Sequence, residues 1–595
     1  MINLTIDGIQ TQIEAGSTIL QAAEQVGVHI PTLCYLDLHE IGIENKPASC
    51  RVCVVEVAGR RNLAPACATP VTEGMVVNTN TPKVIDARKT IVELMLSDHP
   101  KDCLTCPKSG QCELQTLAET LGIRKIRVKG QSMSTYEMDC SSPSIIRDPE
   151  KCIMCRRCET MCNEVQTVGA LSAVNRGFDA VVATAFESPL GETKCTFCGQ
   201  CIQVCPVGAL TEKSNIDEVI EALGDPTKTV IVNTAPAVRA ALGEEFGLDA
   251  GYSVTGEMVA ALRRVGFDYV FDTDFAADLT IMEEATELVE RLQKFLKGEQ
   301  VAMPMITSCC PAWINFIETQ FPELQDLPSS AKSPMEMFGA VAKTYFAKQK
   351  GIDPKDLVVV AVMPCTAKKF EAQRDEMNTN GTANKDIDIS ITTRELAELI
   401  KQMNVDLLDL EEEDFDDPLG ESTGAAVIFG KTGGVMEAAL RTGYEWVTGQ
   451  ELGEVEFEEI RTLDYGMRVA HVQVGDLTLN VAIASGLGNA RAIMEEIKAG
   501  NPNNLHFIEI MACPGGCVNG GGQPFQPASV RNFEDLRALR AKALYDTDAT
   551  MTLRKSHDNP MIKKLYDEYL ERPGSHKAHK ILHTTYVARN RFGDQ

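Results

Sequence analysis

The stretch "HFIEIMACPGGC", residues 506–517, is an apolar run of strand length that stops in a turn holding two cysteines and two glycines. Three other stretches share this construction: "TVIVNTAP" (229–236), "VAMPMITSCC" (301–310) and "DLVVVAVMPC" (356–365). Runs this short and this apolar read as strands buried on both faces, the mark of a parallel sheet covered by helices. Helical patterns separate them, so the chain from about residue 215 reads as α/β. Open parallel sheets place their sites at the carboxyl ends of strands, which is where these turns carry their cysteines.

Working outward, 595 residues are too many for one hydrophobic core, and roughly 100–200 residues per domain predicts four or five units. With 44% apolar and 24% charged residues the composition is that of a globular protein, and no apolar stretch reaches the ~20 residues of a membrane span. The amino terminus, "MINLTIDGIQTQIEAGST", has neither a basic segment followed by an apolar one nor twin arginines, so a cytoplasmic location is expected. In a reducing compartment 21 cysteines point to metal ligands rather than disulfides. A net charge of -27 argues against nucleic acid as a partner and serves solubility.

The cysteines fall into groups. Residues 1–80 open with an alternating strand signal and a capped helix, followed by Cys34, Cys50, Cys53 and Cys67 at spacing C-x15-C-x2-C-x13-C. Zinc ribbons also use C-x2-C, but "CYLDLHEIGIENKPASCRVCVVEVAG" resembles the 2Fe-2S ferredoxin-like module of respiratory and hydrogenase subunits. Residues 81–139 contain "HPKDCLTCPKSGQC", in which Cys103, Cys106 and Cys112 lack a fourth thiol and His99 would complete the set. This spacing resembles the histidine-ligated 4Fe-4S segment that accompanies the preceding module. Residues 140–214 carry "CIMCRRCETMC" and "CTFCGQCIQVCP", two copies of the bacterial ferredoxin pattern, in which the fourth cysteine of each run serves the other cluster. One cluster then takes Cys152, Cys155, Cys158 and Cys205, and the other Cys195, Cys198, Cys201 and Cys162. The first copy ends in Asn163 rather than proline.

Fifteen cysteines are thereby used, leaving Cys140, Cys309, Cys310, Cys365, Cys513 and Cys517. "TSCCPAW", "MPCTAKKFE" and "MACPGGCVNGGGQP" together resemble, in order, the three motifs of iron-iron (FeFe) hydrogenases, and the resemblance runs from the first module to "KILHTTYVARN" near the end. It implies an α+β multidomain chain, in which ferredoxin-like iron-sulfur modules precede a two-lobed α/β domain (215–529) with parallel sheets holding the active-site cluster. The last segment (530–595) contains no cysteine and is richer in base; it reads as a peripheral helical tail, and the resemblance makes it small-subunit-like. The implied activity is the reversible reduction of 2 H+ by 2 e- to H2.

The resemblance makes Cys310, Cys365, Cys513 and Cys517 the ligands of a 4Fe-4S cube, with Cys517 bridging to a two-iron unit bearing carbon monoxide, cyanide and a dithiolate, together the H-cluster. One 2Fe-2S and three accessory 4Fe-4S clusters would feed it. Cys309 is implied as proton carrier, with Glu284, Ser329 and Glu287 behind it and Arg291 at the outer end; Ser330 fits the motif "SSAK" as well as Ser329 does. Periodicity alone would make Glu284, Glu287 and Arg291 a surface ladder flanking the apolar face Ile281, Ala285, Leu288, Leu292 and Phe295. Lys368 would hold a cyanide, and Pro236, Met363 and Met511 would pack around the two-iron unit. Ala367 stands where family members have serine, which removes one contact to the second cyanide.

Implied partners are ferredoxin, maturation enzymes, and flavin- and iron-sulfur-containing NAD(P)-linked subunits in a hetero-oligomer of the electron-bifurcating kind. The alternatives are a stand-alone ferredoxin hydrogenase, a large iron-sulfur subunit of an NADH or formate dehydrogenase, and a non-enzymatic iron-sulfur assembly protein. The second of these needs a molybdopterin region after residue 215, where the three motifs stand instead. Intact "TSCC", Met363 and Lys368 argue against the third. "GKTGGVMEAALRTG" lacks the residue order of a phosphate loop, and "DLLDLEEEDFDD" (406–417) reads as a solvated loop.

Overall fold

The computed structural model describes residues 1–38, 41–43, 47–128, 136–379, 385–452, 458–459, 467–475, 477–531 and 534–589. Parts of two motif segments quoted above, at residues 39–40, 44–46 and 590, lie outside the described residues.

The amino-terminal module is a mixed five-stranded sheet. Ile2–Ile6 pairs antiparallel with Ile9–Ile13 and parallel with Met75–Asn78, which continues to Val54–Val57 and Ala64–Pro65. The helix Ile19–Gln25 covers it, and Thr18 and Gln21 close a reciprocal cap at its start. The Pro82–Asp98 helix, begun by a Thr81 cap and a proline in its first turn, leads to the second module and ends at His99.

The third module shows its duplication in the backbone. Met154 and Arg156 in the first cysteine run have φ of 52° and 62°, and Phe197 and Gly199 at the matching places of the second have 59° and 70°. The same left-handed turns thus fold each C-x2-C-x2-C around a centre.

Beyond residue 215 two sheets stand side by side. One is wholly parallel, in the order Tyr269–Asp272, Thr229–Thr234, Leu357–Met363, Ile389–Thr392. In the other, Met305–Ile306, Phe507–Met511 and Leu477–Ser485 run parallel, and Met467–Val474 and Glu458–Glu459 extend it antiparallel. The four strand runs read from sequence are all present, the shortest of them reduced to Met305–Ile306.

Three expectations need correction. The carboxyl tail is helical but not peripheral: Ile562, Leu565, Tyr566, Leu570, Ile581 and Leu582 are buried in the same core as Val359 and Phe338 of the catalytic domain. At roughly 1.5–3 kcal/mol for each large aliphatic side chain buried, the tail is integral to that domain. The acidic stretch is not simply solvated. Leu407 is buried, Glu413 and Asp416 both pair with Arg263, and Asp416 accepts a 2.7 Å hydrogen bond from the Val270 amide. Phe295, expected on the apolar face of its helix, is exposed at the carboxyl end of Thr273–Leu296.

The glycine-rich "GKTGGVMEAALRTG" begins the helix Gly434–Thr448, whose amino-terminal amides at Gly433 and Met436 donate to the buried Glu509 carboxylate at 2.6 and 2.7 Å. A protein carboxylate therefore occupies the place where a phosphate loop would hold its ligand.

Candidate active site

The carboxyl ends of both sheets converge on one cavity of about 80 Å³. Cys309 and Cys310 reach it from the turn after Met305–Ile306, Cys365 from the turn after Leu357–Met363, and Cys513 and Cys517 from the turn after Phe507–Met511. Pro236, Met363, Met511 and Lys368 complete the wall, so the nine residues expected there from sequence are brought together. Sequence reasoning missed Pro334, Met335 and Phe429, which also line it. The first two stand just beyond "SSAK", the only local signal that could have pointed to them.

Main chain packs tightly around the space. A Cβ on Gly516 would stand 2.5 Å from the Thr432 amide nitrogen, and one on Gly520 would stand 2.0 Å from the Pro364 carbonyl oxygen. Gly516 also has φ of 98°, a conformation side chains disfavour. Burial pushes every thiol of the cavity upward: Cys309 and Cys513 well above the ordinary range, Cys517 to about 12, and Cys310 and Cys365 likewise upward. Thiolates are unfavourable in such a place unless a cation compensates them, so this donor set suits a bulky metal cluster.

Lys368 is buried yet held protonated. Burial acts against its charge, and Glu371, 2.6 Å away, more than offsets that. Its ammonium also donates to the Cys309 carbonyl at 3.3 Å, while Ser333 donates to Glu371 at 3.0 Å.

The Thr273–Leu296 helix carries Glu284 under the cysteine turn. Glu284 has no solvent exposure; burial raises it from 4.5 to about 8, although the amide and hydroxyl of Ser308 both donate to it at 3.2 Å. Its second oxygen has no partner among the described residues. One turn on, Glu287 accepts from Ser329 at 2.7 Å, from the Ser330 amide and hydroxyl at 3.1 and 3.2 Å, and from Arg291 at 2.5 Å. Both serines of "SSAK" thus reach Glu287, and Ser329 is the one without solvent exposure. The tail supports this network: Tyr586 donates to the Ser329 carbonyl at 2.6 Å, and His583 lies 2.8 Å from the Ser330 hydroxyl and 3.0 Å from Glu283.

The front cysteines gather too. Cys152, Cys155, Cys158 and Cys205 line one small cavity, and Cys162, Cys195, Cys198 and Cys201 line another. Cys53 and Cys67 have sulfurs 3.2 Å apart, and Cys34 is held low by the thiols of Cys50 and Cys67 donating to it. Cys103, Cys106 and Cys112 follow the helix that ends at His99, and burial lowers that imidazole, keeping it neutral as a ligand must be. No group of three or more His, Cys, Asp or Glu among the described residues closes to the spacing of a lone metal ion. Cys140 is exposed and belongs to none of the groups.

Contacts between modules link these groups. A Cβ on Gly208 would lie 2.7 Å from the Cys106 sulfur, which sets the second module against the first ferredoxin-like cavity. At the other end, Asn315 of the helix after Cys310 donates to the Cys195 carbonyl at 3.1 Å, and Gln166 donates to the Ala512 carbonyl at 2.9 Å.

Comparison with known proteins agrees with this architecture. Residues 228–521 match the iron only hydrogenase large subunit, C-terminal domain, and residues 534–589 the iron hydrogenase small subunit. In front, residues 1–82 match a 2Fe-2S iron-sulfur cluster binding domain, 88–127 the NADH-ubiquinone oxidoreductase-G iron-sulfur binding region, and 142–211 the ferredoxin-like domain of NADH-quinone oxidoreductase subunit 3. The chain belongs to the iron-only (FeFe) hydrogenase family and is a hydrogenase catalytic subunit with a complex-I-like iron-sulfur region at its amino end. It is 60% identical to the NADP-reducing hydrogenase subunit HndD of Solidesulfovibrio fructosivorans across the whole of both chains. To iron hydrogenase 1 of Clostridium pasteurianum it is 40% identical, over 98% of this chain and all of that one. A solved structure of a variant apo FeFe-hydrogenase HydA1 from Chlamydomonas reinhardtii aligns with a TM-score of 0.57 at 42% identity, covering 64% of this chain and all of the other.

Proposed function

We propose that Cys310, Cys365, Cys513 and Cys517 hold the cube of the H-cluster, that Cys517 also bridges to the two-iron unit, and that Cys309 moves the proton. The observation that carries this is the meeting of five cysteines from three strand ends, with Lys368, around one cavity. When bound, the cluster supplies the redox chemistry that joins two protons and two electrons as H2.

The chain's own residues do the rest. Lys368, braced by Glu371, would hold a cyanide ligand with its ammonium, while Pro236, Met363 and Met511 line the space and keep water out. Cys309 is protonated at rest and passes its proton to and from Glu284, itself protonated up to about pH 8. From there Ser329 and Glu287 lead outward to Arg291. The front thiols and His99 would hold one 2Fe-2S and three 4Fe-4S clusters, which would supply electron transfer to the cavity; the Cys152 foursome adjoins the second module and the Cys195 foursome adjoins the catalytic domain. The five units 1–80, 81–139, 140–214, 215–529 and 530–595 divide the work, the last packed as part of the fourth.

For partners, the whole-length likeness to an NADP-reducing hydrogenase subunit supports a complex with flavin- and iron-sulfur-containing NAD(P)-linked subunits, with ferredoxin as a second carrier. Among the described residues no helix is long and apolar enough to cross a membrane, and we place the complex in the cytoplasm. Cys309→Ala in the matured full chain tests the core of the proposal. The variant should keep its iron and lose nearly all turnover; full activity would remove Cys309 from the proton path.

A further inference from the structure

Three charged side chains that the hydrogen site does not use meet where the front modules join. Arg157 lies between Cys155 and Cys158 in the chain and is closed off from solvent, with Nη1 donating to both oxygens of Glu113 at 2.8 and 2.9 Å. Glu113 directly follows Cys112 and opens the helix Glu113–Thr120. Arg531, from the segment beyond the last cysteine turn, places Nη2 3.2 Å from the same carboxylate, close enough for its charge to act but not aligned to donate. One carboxylate between two guanidiniums leaves a net positive charge in a desolvated place.

Stability does not account for such a triad, because burying three charges costs about as much as their attraction returns. Nor is it fully satisfied: Nε and Nη2 of both arginines have no hydrogen-bond partner among the described residues, although buried donors are ordinarily paired. What surrounds them is sulfur. The Arg157 amide donates to Cys155, and Cys34, Cys158 and Cys205 pack in one buried cluster with the partly buried Cys112, Cys152 and Cys155. The triad therefore stands where the Cys34 foursome, the Cys112 motif and the first ferredoxin-like foursome come together.

We propose that Arg157, Glu113 and Arg531 form a charge node at the electron branch point, which makes the cluster held by Cys152, Cys155, Cys158 and Cys205 easier to reduce. The inference rests on the ligand sets proposed above. Net charge and hydrogen bonds to sulfur set the potential of an iron-sulfur cluster; the node's side chains supply the charge, and the Arg157 main-chain amide, which none of the substitutions below removes, acts in the same direction. One electron leaves an outer cluster and arrives on this one, with no proton or co-reactant involved. A positive node on the acceptor side draws electrons inward from either outer module, so that both drain into one wire.

The test is a redox titration of the full chain followed by electron paramagnetic resonance, in wild type, Arg531→Gln, Arg531→Lys and Glu113→Gln. Removing a positive charge should lower the midpoint of this cluster, removing the negative one should raise it, and Arg531→Lys should restore it toward wild type. Opposite shifts are what loosened packing would not give. Midpoints that stay put, or move the same way in Arg531→Gln and Glu113→Gln with every cluster signal intact, overturn the node. Should Glu113→Gln fail to fold, the Arg531 pair decides alone, since that side chain keeps 17% of its exposure at the edge of the triad. Absence of four-iron signals from wild type would instead refute the ligand sets themselves.

Discussion

Glu284→Gln isolates the buried acid beneath the cysteine turn. In the folded chain this carboxyl is lifted from 4.5 to about 8, first by burial and then by the charge of Glu287, against the donations of Ser308. Once unfolded it ionises near 4.5. Between those two values the folded state keeps a proton that the unfolded state has released, so stability falls as pH rises through this window and the full penalty stands above pH 8. At about 1.4 kcal/mol per pH unit of displacement the penalty is on the order of 5 kcal/mol. Glutamine mimics the protonated acid and does not titrate. The variant should therefore match wild type near pH 5 and exceed it in urea resistance at pH 9, the difference growing by roughly 4 kcal/mol. Infrared spectra give a second measure: the carbonyl band of a protonated carboxyl should be present in wild type at pH 7 and missing in the variant. Hydrogen turnover should drop by about 10²–10⁴-fold, the usual worth of a positioned proton-transfer group. A stability difference that is the same at pH 5 and pH 9, with no carboxyl band lost, would refute the reasoning.

Expression in a host without dedicated maturation enzymes should give a chain with its ordinary iron-sulfur clusters filled and no hydrogen evolution, because general cluster assembly does not make carbon monoxide, cyanide and dithiolate ligands; gas evolved without added cofactor would contradict this. Deleting residues 1–80 from the assembled complex should abolish NADH- or NADPH-dependent activity and leave dye-linked hydrogen uptake; a single chain that reduces ferredoxin at full rate, with no subunit accompanying it in native mass spectra, would favour the stand-alone alternative.

What the sequence made legible was what it encodes locally. Cysteine spacings are short-range, and strand runs ending in cysteine turns announce where a parallel sheet places its site. Periodicity put Glu284, Glu287 and Arg291 on one stripe but read that stripe as a surface ladder, since nothing local says that the Ser308 turn covers Glu284. Only the likeness to a family placed it inside. Contacts between distant segments were not legible at all. His583 meets Glu283 from 300 residues away, and Tyr586 reaches Ser329 from 257. A basic, cysteine-free ending consequently looked peripheral. Glu371, three residues after Lys368, was within reach of a pattern argument, because an acid at that spacing on a helix faces its lysine.

The infrared spectrum of the matured full chain separates the roles of the adjacent cysteines from those across the cavity. Wild type and Cys309→Ala should both show the stretching bands of carbon monoxide and cyanide, and Cys517→Ala should show none while keeping the front clusters. Bands that persist unchanged in Cys517→Ala would mean that the two-iron unit is not held where the three strand ends meet.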